Sequence, residues 1–489
     1  MLPSIALVLL LIGWFGRGIA GFLFLSLSLC FVVGFVCSWR NSVQAKTTLM
    51  HDLSRPALSL DRLSQLAVQR HRNLPSFLIL IPARSESRVI ANTLQHLSQL
   101  RYMPGLFSVL VIADAREYSV DGESTTQVVA AQVSARLNEE YGRQIFSVTT
   151  VPDDYDGHRL SGAEPAYTSS KGRALNYALD LVVRKKVLPD FIGVLDADGR
   201  LHLDVLLEVA KQSLKLDAQV LQGPVFQISN LRQVDLFGLM AGIELSIFHL
   251  SVLARELRSS RLFPRFLAGT NYFICPKLLL EVGGWKSTSL VEDAELGLRL
   301  FLQRGVRAHW LPSVEIEQTA PSLGVYLKQR ERWSLGHLQL LAQVRQAPIS
   351  VWFKLRIGLQ VIRSLLACPW SVVLPSMAWS LAVVGIALPS APWSMALALF
   401  LALISLYSWD QFGRGLRLLN QQSPRPLSSR RVLLSSVALI LLLPCLTVIQ
   451  LLPRITALLS YFRLRRARGS EFAWYKTERT AEAPIGSVL

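Results

Sequence analysis

From Ile19 to Trp39 the chain runs for 21 residues without a charged side chain. As a helix, that stretch is long enough to span roughly the 30 Å hydrocarbon core of a bilayer. In water it would leave a long apolar surface with nothing to cover it. Lipid is therefore its expected surroundings. Comparable runs return late in the chain, at Pro369–Leu388, Trp393–Trp409 and Val432–Leu452. A mean hydropathy of +0.35 points the same way, being too apolar for an ordinary soluble enzyme. The shorter run Leu2–Phe15, set off by Arg17, reads either as one arm of a tight hairpin or as an interfacial helix. It is not expected to be a cleaved signal peptide, because no basic region precedes it and no small-x-small site follows.

The net charge is +17. Much of the excess flanks the apolar runs: Arg40 and Lys46 after the first, Arg414, Arg417, Arg425, Arg430 and Arg431 between later ones, and Arg454, Arg463, Arg465, Arg466 and Arg468 near the tail. Basic loops of this kind hold the cytoplasmic side of a membrane. Nucleic acid is not an expected partner, since no recognised module or basic-aromatic interleaving accompanies the charge. Val432–Leu452 has basic sequence on both sides, so a re-entrant or hairpin arrangement broken near Pro444 and Pro453 stands beside a single crossing. Val351–Leu366 mixes Lys354, Arg356 and Arg363 with apolar residues and suits a helix lying in the interface. The five cysteines show neither disulfide nor zinc spacing and read as small hydrophobes.

Between the apolar blocks the pattern changes. Phe77–Pro82 is a continuous apolar run closed by proline, as in a strand buried on both faces. A helical pattern over Val89–Leu100, a strand at Val109–Ala113, a helix at Val128–Tyr141, a strand at Ile145–Val151, a helix at Lys171–Arg184 and a strand at Phe191–Leu195 follow. This alternation predicts an α/β fold with an open, mostly parallel sheet. Ligands of such sheets bind beyond the carboxyl ends of the strands, where Pro82-Ala83-Arg84, Asp114 and Asp196-Ala197-Asp198 fall.

Asp196 and Asp198 follow a strand and precede Gly199, so both carboxylates emerge at a sheet edge. Hard cations such as Mg²⁺ or Mn²⁺ take one or two carboxylates plus substrate phosphates. An isolated triplet would more often be a solvated turn; the company of Asp114 and Lys171 reverses that balance. Glu86 and Asp114, just past strand ends, suit hydrogen bonds to a nucleobase or ribose, though either can also cap the next helix. Lys171-Gly172-Arg173 opens a helix, where backbone donors and two cations favour phosphate. Glu292-Asp293 begins the periodic segment Ala294–Leu302. A carboxylate there is a helix cap or, in a group-transfer enzyme, the general base for an acceptor hydroxyl; Asp293 is the candidate. Gln329, Arg332 and Trp333 share adjacent helix faces. Amide, guanidinium and indole match a sugar ring and a diphosphate, against the plainer role of an interfacial tryptophan with snorkelling arginines.

In this order the motifs resemble the membrane-embedded branch of glycosyltransferase family 2, which includes cellulose, hyaluronan and poly-N-acetylglucosamine synthases and several glycolipid synthases. The likeness covers Phe77–Trp333, with a looser one at Trp474–Thr477. It implies a GT-A fold with a nucleotide-sugar donor. Glu86, Asp114, Lys171 and Asp196 would then serve the donor, Asp196 and Asp198 the metal, Asp293 the base, and Glu292, Gln329, Arg332 and Trp333 the diphosphate and acceptor. Gly269-Thr270-Asn271 and Gly283-Gly284-Trp285 resemble acceptor-side segments. Two departures stand out: Val291 where Thr is usual, and Ala-Asp-Ala-Arg-Glu around Asp114. The polar stretch Asp153–Ser170 reads as a loop over the donor.

The expected organisation is N-terminal transmembrane segments in 1–40, a linker in 41–75, a cytoplasmic GT-A domain in 76–348, an interfacial helix and transmembrane helices in 349–463, and a basic cytoplasmic tail in 464–489. The expected function is inverting transfer of a hexose, from a UDP-sugar by preference, to a lipid or glycan acceptor at the membrane. The alternatives are a glycolipid synthase as against a processive polysaccharide synthase, and a non-catalytic scaffold that keeps the fold.

Overall fold

The computed structural model describes residues 57–117, 124–156, 170–258, 264–362, 415–466 and 479–481, with a few single residues besides. The runs expected as spans at Ile19–Trp39, Pro369–Leu388 and Trp393–Trp409 lie outside the described residues, as do Leu2–Phe15, Trp474–Thr477 and most of the Asp153–Ser170 loop.

The described chain opens with α1 (Leu60–Gln69), β1 (Phe77–Pro82), α2 (Ile90–Leu97), β2 (Phe107–Asp114), α3 (Thr126–Tyr141), β3 (Phe146–Val151), α4 (Lys171–Arg184) and β4 (Phe191–Val194). It continues through β5 (Arg200–Leu201), α5 (Val205–Leu216), β6 (Val220–Gln222), β7 (Val225–Gln227) and α6 (Leu236–Phe248). A π-helical turn, His249–Leu253, leads into α7 (Ala254–Arg258), β8 (Tyr272–Ile274), α8 (Pro276–Glu281), α9 (Glu292–Arg304), β9 (His309–Trp310), β10 (Glu315–Glu317) and α10 (Leu323–Gln346). A helix at 351–362 follows, then α11 (Gly415–Gln422), α12 (Ser429–Leu441) and α13 (Leu443–Arg466).

Seven strands form the main sheet in the order β3-β2-β1-β4-β8-β6-β9. β1 lies parallel to β2 and β4, and β2 to β3; β8 is antiparallel to β4 and β6. The expected α/β class and mostly parallel sheet are present. Alternation along β1 explains why both faces of the sheet are covered. Phe77, Ile79 and Ile81 join one core with α1, α2, α3 and α5, while Leu80 joins another with α4 and α6. A small second sheet, β5-β10-β7, sits beside the end of β4. Gly199 lets it come close, because a Cβ there would meet the Glu315 carboxylate and the Leu195 side chain.

Helices α11 to α13 are not separate from this body. Leu416, Leu419, Val432, Leu439 and Leu446 join the α6 core. Arg431 donates to the carbonyls of Arg232 and Val234 (both 3.2 Å) and Ser423 to that of Ile228 (2.9 Å). Among the described residues no helix is long and apolar enough to cross a membrane. Val432–Leu452, expected as a single crossing or a broken hairpin, forms parts of α12 and α13, which meet at Leu442 next to Pro444; Pro453 lies within α13 without ending it. Its apolar residues divide between the core and the surface, and α13 runs on into the basic residues Arg454 and Arg463.

Trp285 shows how tightly the loop before α9 is held. It is fully buried, its indole N–H donates to the Tyr272 hydroxyl (2.7 Å), and its backbone N–H donates to Asn176 on α4 (2.8 Å). Trp285→Ala should destabilise the chain by about 3–5 kcal/mol, the scale of emptying a large buried aromatic. Chemical denaturation of the full-length protein in detergent checks this, and an unshifted midpoint contradicts it.

Candidate active site

The carboxyl ends of β1, β2 and β4 open into one cavity of about 290 Å³. Glu86, Asp114, Lys171, Asp196, Glu292, Asp293, Gln329, Arg332 and Trp333 all line it. The chain thus brings residues from distant segments to one place. Asp198 is the exception: it is buried behind the cavity wall, where its carboxylate accepts from the Gln318 backbone N–H (2.9 Å).

Asp196 anchors the centre of the site. Its backbone N–H donates to the Thr270 hydroxyl (3.0 Å), and that hydroxyl donates onward to Glu315 (2.8 Å). The Lys171 ammonium binds the Asp196 carboxylate and donates to the Gly269 carbonyl (2.7 Å). Burial works against ionisation of Asp196, but Lys171 and Arg479 prevail and hold it below the usual carboxylate range. Burial likewise pulls Lys171 down, and Asp196 and Glu292 outweigh it, keeping it cationic. Gly269 has a φ of +80°, and a Cβ there would stand 3.2 Å from Asp293 Oδ2, so a bare backbone lets Asp293 and Lys171 converge.

Glu292 and Asp293 occupy the first turn of α9, where backbone N–H groups favour anions. Burial and then the Asp293 charge push Glu292 up to about 7. Burial also raises Asp293, against the Ala294 backbone N–H and Lys171. Arg332 reaches towards this pair from α10 and donates to the Leu290 carbonyl (3.1 Å). Below it, the Arg330 guanidinium stacks 4.7 Å from the Trp333 ring centroid and pairs with buried Glu244 (3.3 Å), fixing the ring and tying α10 to α6.

Three placements differ from the sequence reading. Arg173 is not a second phosphate cation. It is buried and donates to the carbonyl of Tyr155 (2.6 Å) and that of Asp153 (3.2 Å), bracing the chain after β3. Gly283-Gly284-Trp285 does not line the cavity, because Trp285 is core. Asn271 also turns inward, donating to the carbonyls of Pro224 (3.0 Å) and Ser313 (2.9 Å).

Sequence reasoning missed Glu315, Glu317 and Arg479. The Glu-Ile-Glu alternation of β10 was a usable signal, since residues two apart share a strand face. Asp196, Asp198 and Glu317 present oxygens all within 4.8 Å of one another. Glu317 is buried, its Oε2 has no hydrogen-bond partner, and burial together with Asp198 and Asp196 pushes its carboxyl up to about 8. An orphaned oxygen in an acidic triad with one member open to the cavity fits a divalent cation.

Residues 191–409 match the family described as Glycosyl transferase family group 2. The chain matches this family over less than half of its length. Over 276 residues it is 23% identical to the beta-monoglucosyldiacylglycerol synthase of Trichormus variabilis, covering 55% of this chain and 50% of that one. Over 280 residues it is 25% identical to the probable glycosyltransferase YdaM of Bacillus subtilis, covering 56% and 58%. The chain spans about half the length of these curated relatives. A solved structure, the mannosyltransferase PcManGT from Pyrobaculum calidifontis in complex with GDP-Man and Mn²⁺, aligns with a TM-score of 0.44 at 18% identity, over 85% of this chain and 99% of that one.

The Glu292 carboxyl has a sign that can be measured. Its folded value, about 7, lies above its ordinary 4.5, so the folded state favours the protonated form. The stability it contributes is present below about 4.5 and is lost as pH rises through about 7. Glu292→Gln should flatten that part of the fall in thermal midpoint, measured by fluorescence-detected melting in cation-free buffer across this range; a fall as steep as in the parent protein contradicts the assignment.

Proposed function

We propose that this protein is a membrane-bound, inverting glycosyltransferase that moves a hexose from a nucleotide sugar, a UDP-sugar, to a lipid acceptor at the cytoplasmic membrane face. The observation that carries the reading is one cavity lined both by carboxylates, Asp196, Glu317, Glu292 and Asp293, and by the apolar side chains Leu245, Phe248, Leu253, Trp333 and Leu365. The carboxylates suit a cation-bound diphosphate and the apolar lining a lipid. The glycolipid synthases among the relatives support the choice of a lipid over a growing glycan.

The outer surface supports the membrane partner. Val351, Trp352, Leu355 and Leu359 are exposed on the helix at 351–362, and Ile455, Leu458, Leu459 and Phe462 on α13. Exposed apolar rows beside basic residues suit an interfacial setting, and the uncharged runs at Ile19–Trp39 and Pro369–Trp409 supply the expected spans.

In the reaction, Asp293 takes the proton of the acceptor hydroxyl. The freed oxygen attacks the anomeric carbon opposite the diphosphate, and the bond from that carbon to the diphosphate oxygen breaks, releasing nucleoside diphosphate and inverting the centre. Glu86 and Asp114 accept hydrogen bonds from the nucleoside. Arg332 and Gln329 approach the diphosphate and acceptor, with the acceptor sugar or head group against Trp333. Mg²⁺ or Mn²⁺ held by Asp196, Asp198 and Glu317 would neutralise charge developing on the leaving group.

Asp293→Asn should lower kcat by about 10²- to 10⁴-fold, the scale of a general base, while UDP binding in calorimetry persists. A parental rate would remove Asp293 as the base. Chromatography of radiolabelled product formed from a panel of UDP- and GDP-sugars separates the acceptors. Lipid-extractable label supports the reading, high polymer replaces the lipid with a glycan, and binding without turnover favours a scaffold.

A further inference from the structure

The acidic triad has an occupant supplied by the chain itself. Arg479 places its guanidinium 2.9 Å from Asp198 Oδ1 and 3.8 Å from Asp196 Oδ2. The side chain is 13% exposed and the Asp198 side chain 0%. Arg479 lines the cavity where Asp198 does not, so the guanidinium forms the wall that hides Asp198 from the donor space.

The short segment carrying this arginine is fastened beside the triad. The Thr480 backbone N–H (2.8 Å) and hydroxyl (3.0 Å) both donate to the Gln318 side-chain oxygen, and the Gln318 amide donates back to the Thr480 carbonyl (2.9 Å). Gln233 donates to the Ala481 carbonyl (3.3 Å). Gln318 directly follows Glu317, and its own backbone N–H holds Asp198. The anchor of the segment and the frame of the acidic triad are therefore one residue.

We propose that Arg479 is a displaceable stand-in for the divalent cation, so that residues 479–481 and the cation compete for Asp198 and its neighbours. This rests on the reading of Asp196, Asp198 and Glu317 as the cation site. A cation such as Mg²⁺ bound to carboxylates approaches their oxygens to about 2.0–2.1 Å. The guanidinium already sits on Asp198 Oδ1, the oxygen that the Gln318 backbone N–H does not hold. Two positive groups sharing that oxygen at low dielectric would repel each other strongly, whereas either one alone relieves the repulsion among the carboxylates. Entry of the cation thus requires Arg479 to leave Asp198, which pulls on the Thr480–Gln318 clasp. The resting site keeps its negative charge compensated, and the donor-binding form is made only when a cation is present.

The test uses the full-length protein in lipid nanodiscs with Mn²⁺ alone as the probe. Binding is followed by electron paramagnetic resonance for the parent, Arg479→Gln and Asp198→Asn. Amide hydrogen exchange of the parent is followed at Thr480. The expected results are roughly tenfold tighter Mn²⁺ binding by Arg479→Gln, within the usual range of coupling between sites, and faster Thr480 exchange in the parent when Mn²⁺ is added. Equal or weaker binding by Arg479→Gln, or Thr480 protection that stays constant or rises with Mn²⁺, overturns competition. If Mn²⁺ binds the parent and Asp198→Asn alike, the cation reading itself falls, and the proposal with it. The exchange measurement needs no variant, so misfolding of a mutant cannot decide the outcome.

Discussion

Negative charge held away from water governs this molecule. Asp196, Glu292, Asp293, Glu315 and Glu317 are gathered where burial opposes their ionisation, with the buried Asp198 beside them. Buried carboxylates in contact repel, shed their charge or acquire cations and donors. Each neighbouring element supplies one of these remedies. The start of α4 brings Lys171, the 264–271 loop brings Gly269 and Thr270, and α10 brings Arg332. Residues 479–481 bring Arg479 from the far end of the chain, where the Asp198, Glu86 and Glu317 charges overcome burial and hold the guanidinium firmly protonated.

Much of this was legible because the local signals and the global fold agree. Continuous apolar runs closed by Pro82, Asp114 and Asp196 mark strands buried on both faces, and parallel pairing then brings their carboxyl ends to one side. The helical starts at Lys171 and Glu292 were visible as changes of period, and the observed helices begin at those residues. Where one residue sits at the end of a regular element, its direction follows from the element.

What was not legible depends on directions that no period encodes. Arg173 lies two residues from Lys171, so the two side chains diverge on the helix; only the packing of the chain after β3 decides that Arg173 braces carbonyls. Gly283-Gly284-Trp285 resembled the family's acceptor-side segment, yet its glycines allow a tight turn that buries the indole against Tyr272. Glu317 needed knowledge that β10 pairs beside β5, a contact between strands more than a hundred residues apart. Arg479 had no local signal at all, since a lone arginine beside threonine carries no periodicity, and its place follows from the Gln318 clasp.

Helix α10 joins the two halves of the site. One face sets Gln329 and Arg332 into the acidic cavity, while Trp333 packs on the cluster containing Leu340, Val344, Ile357 and Val361. That cluster includes the buried side of the helix at 351–362, whose other side exposes Trp352 and Leu355. α13 packs along α10 and contributes Arg454 to the cavity wall. A well-packed interior passes displacement on instead of absorbing it. The seating of the surface helices therefore fixes how far Arg332 and Trp333 enter the cavity. Glu244 and Arg330 resist rotation of α10 from beneath, because turning the helix would separate a buried ion pair whose lone members would be left uncompensated.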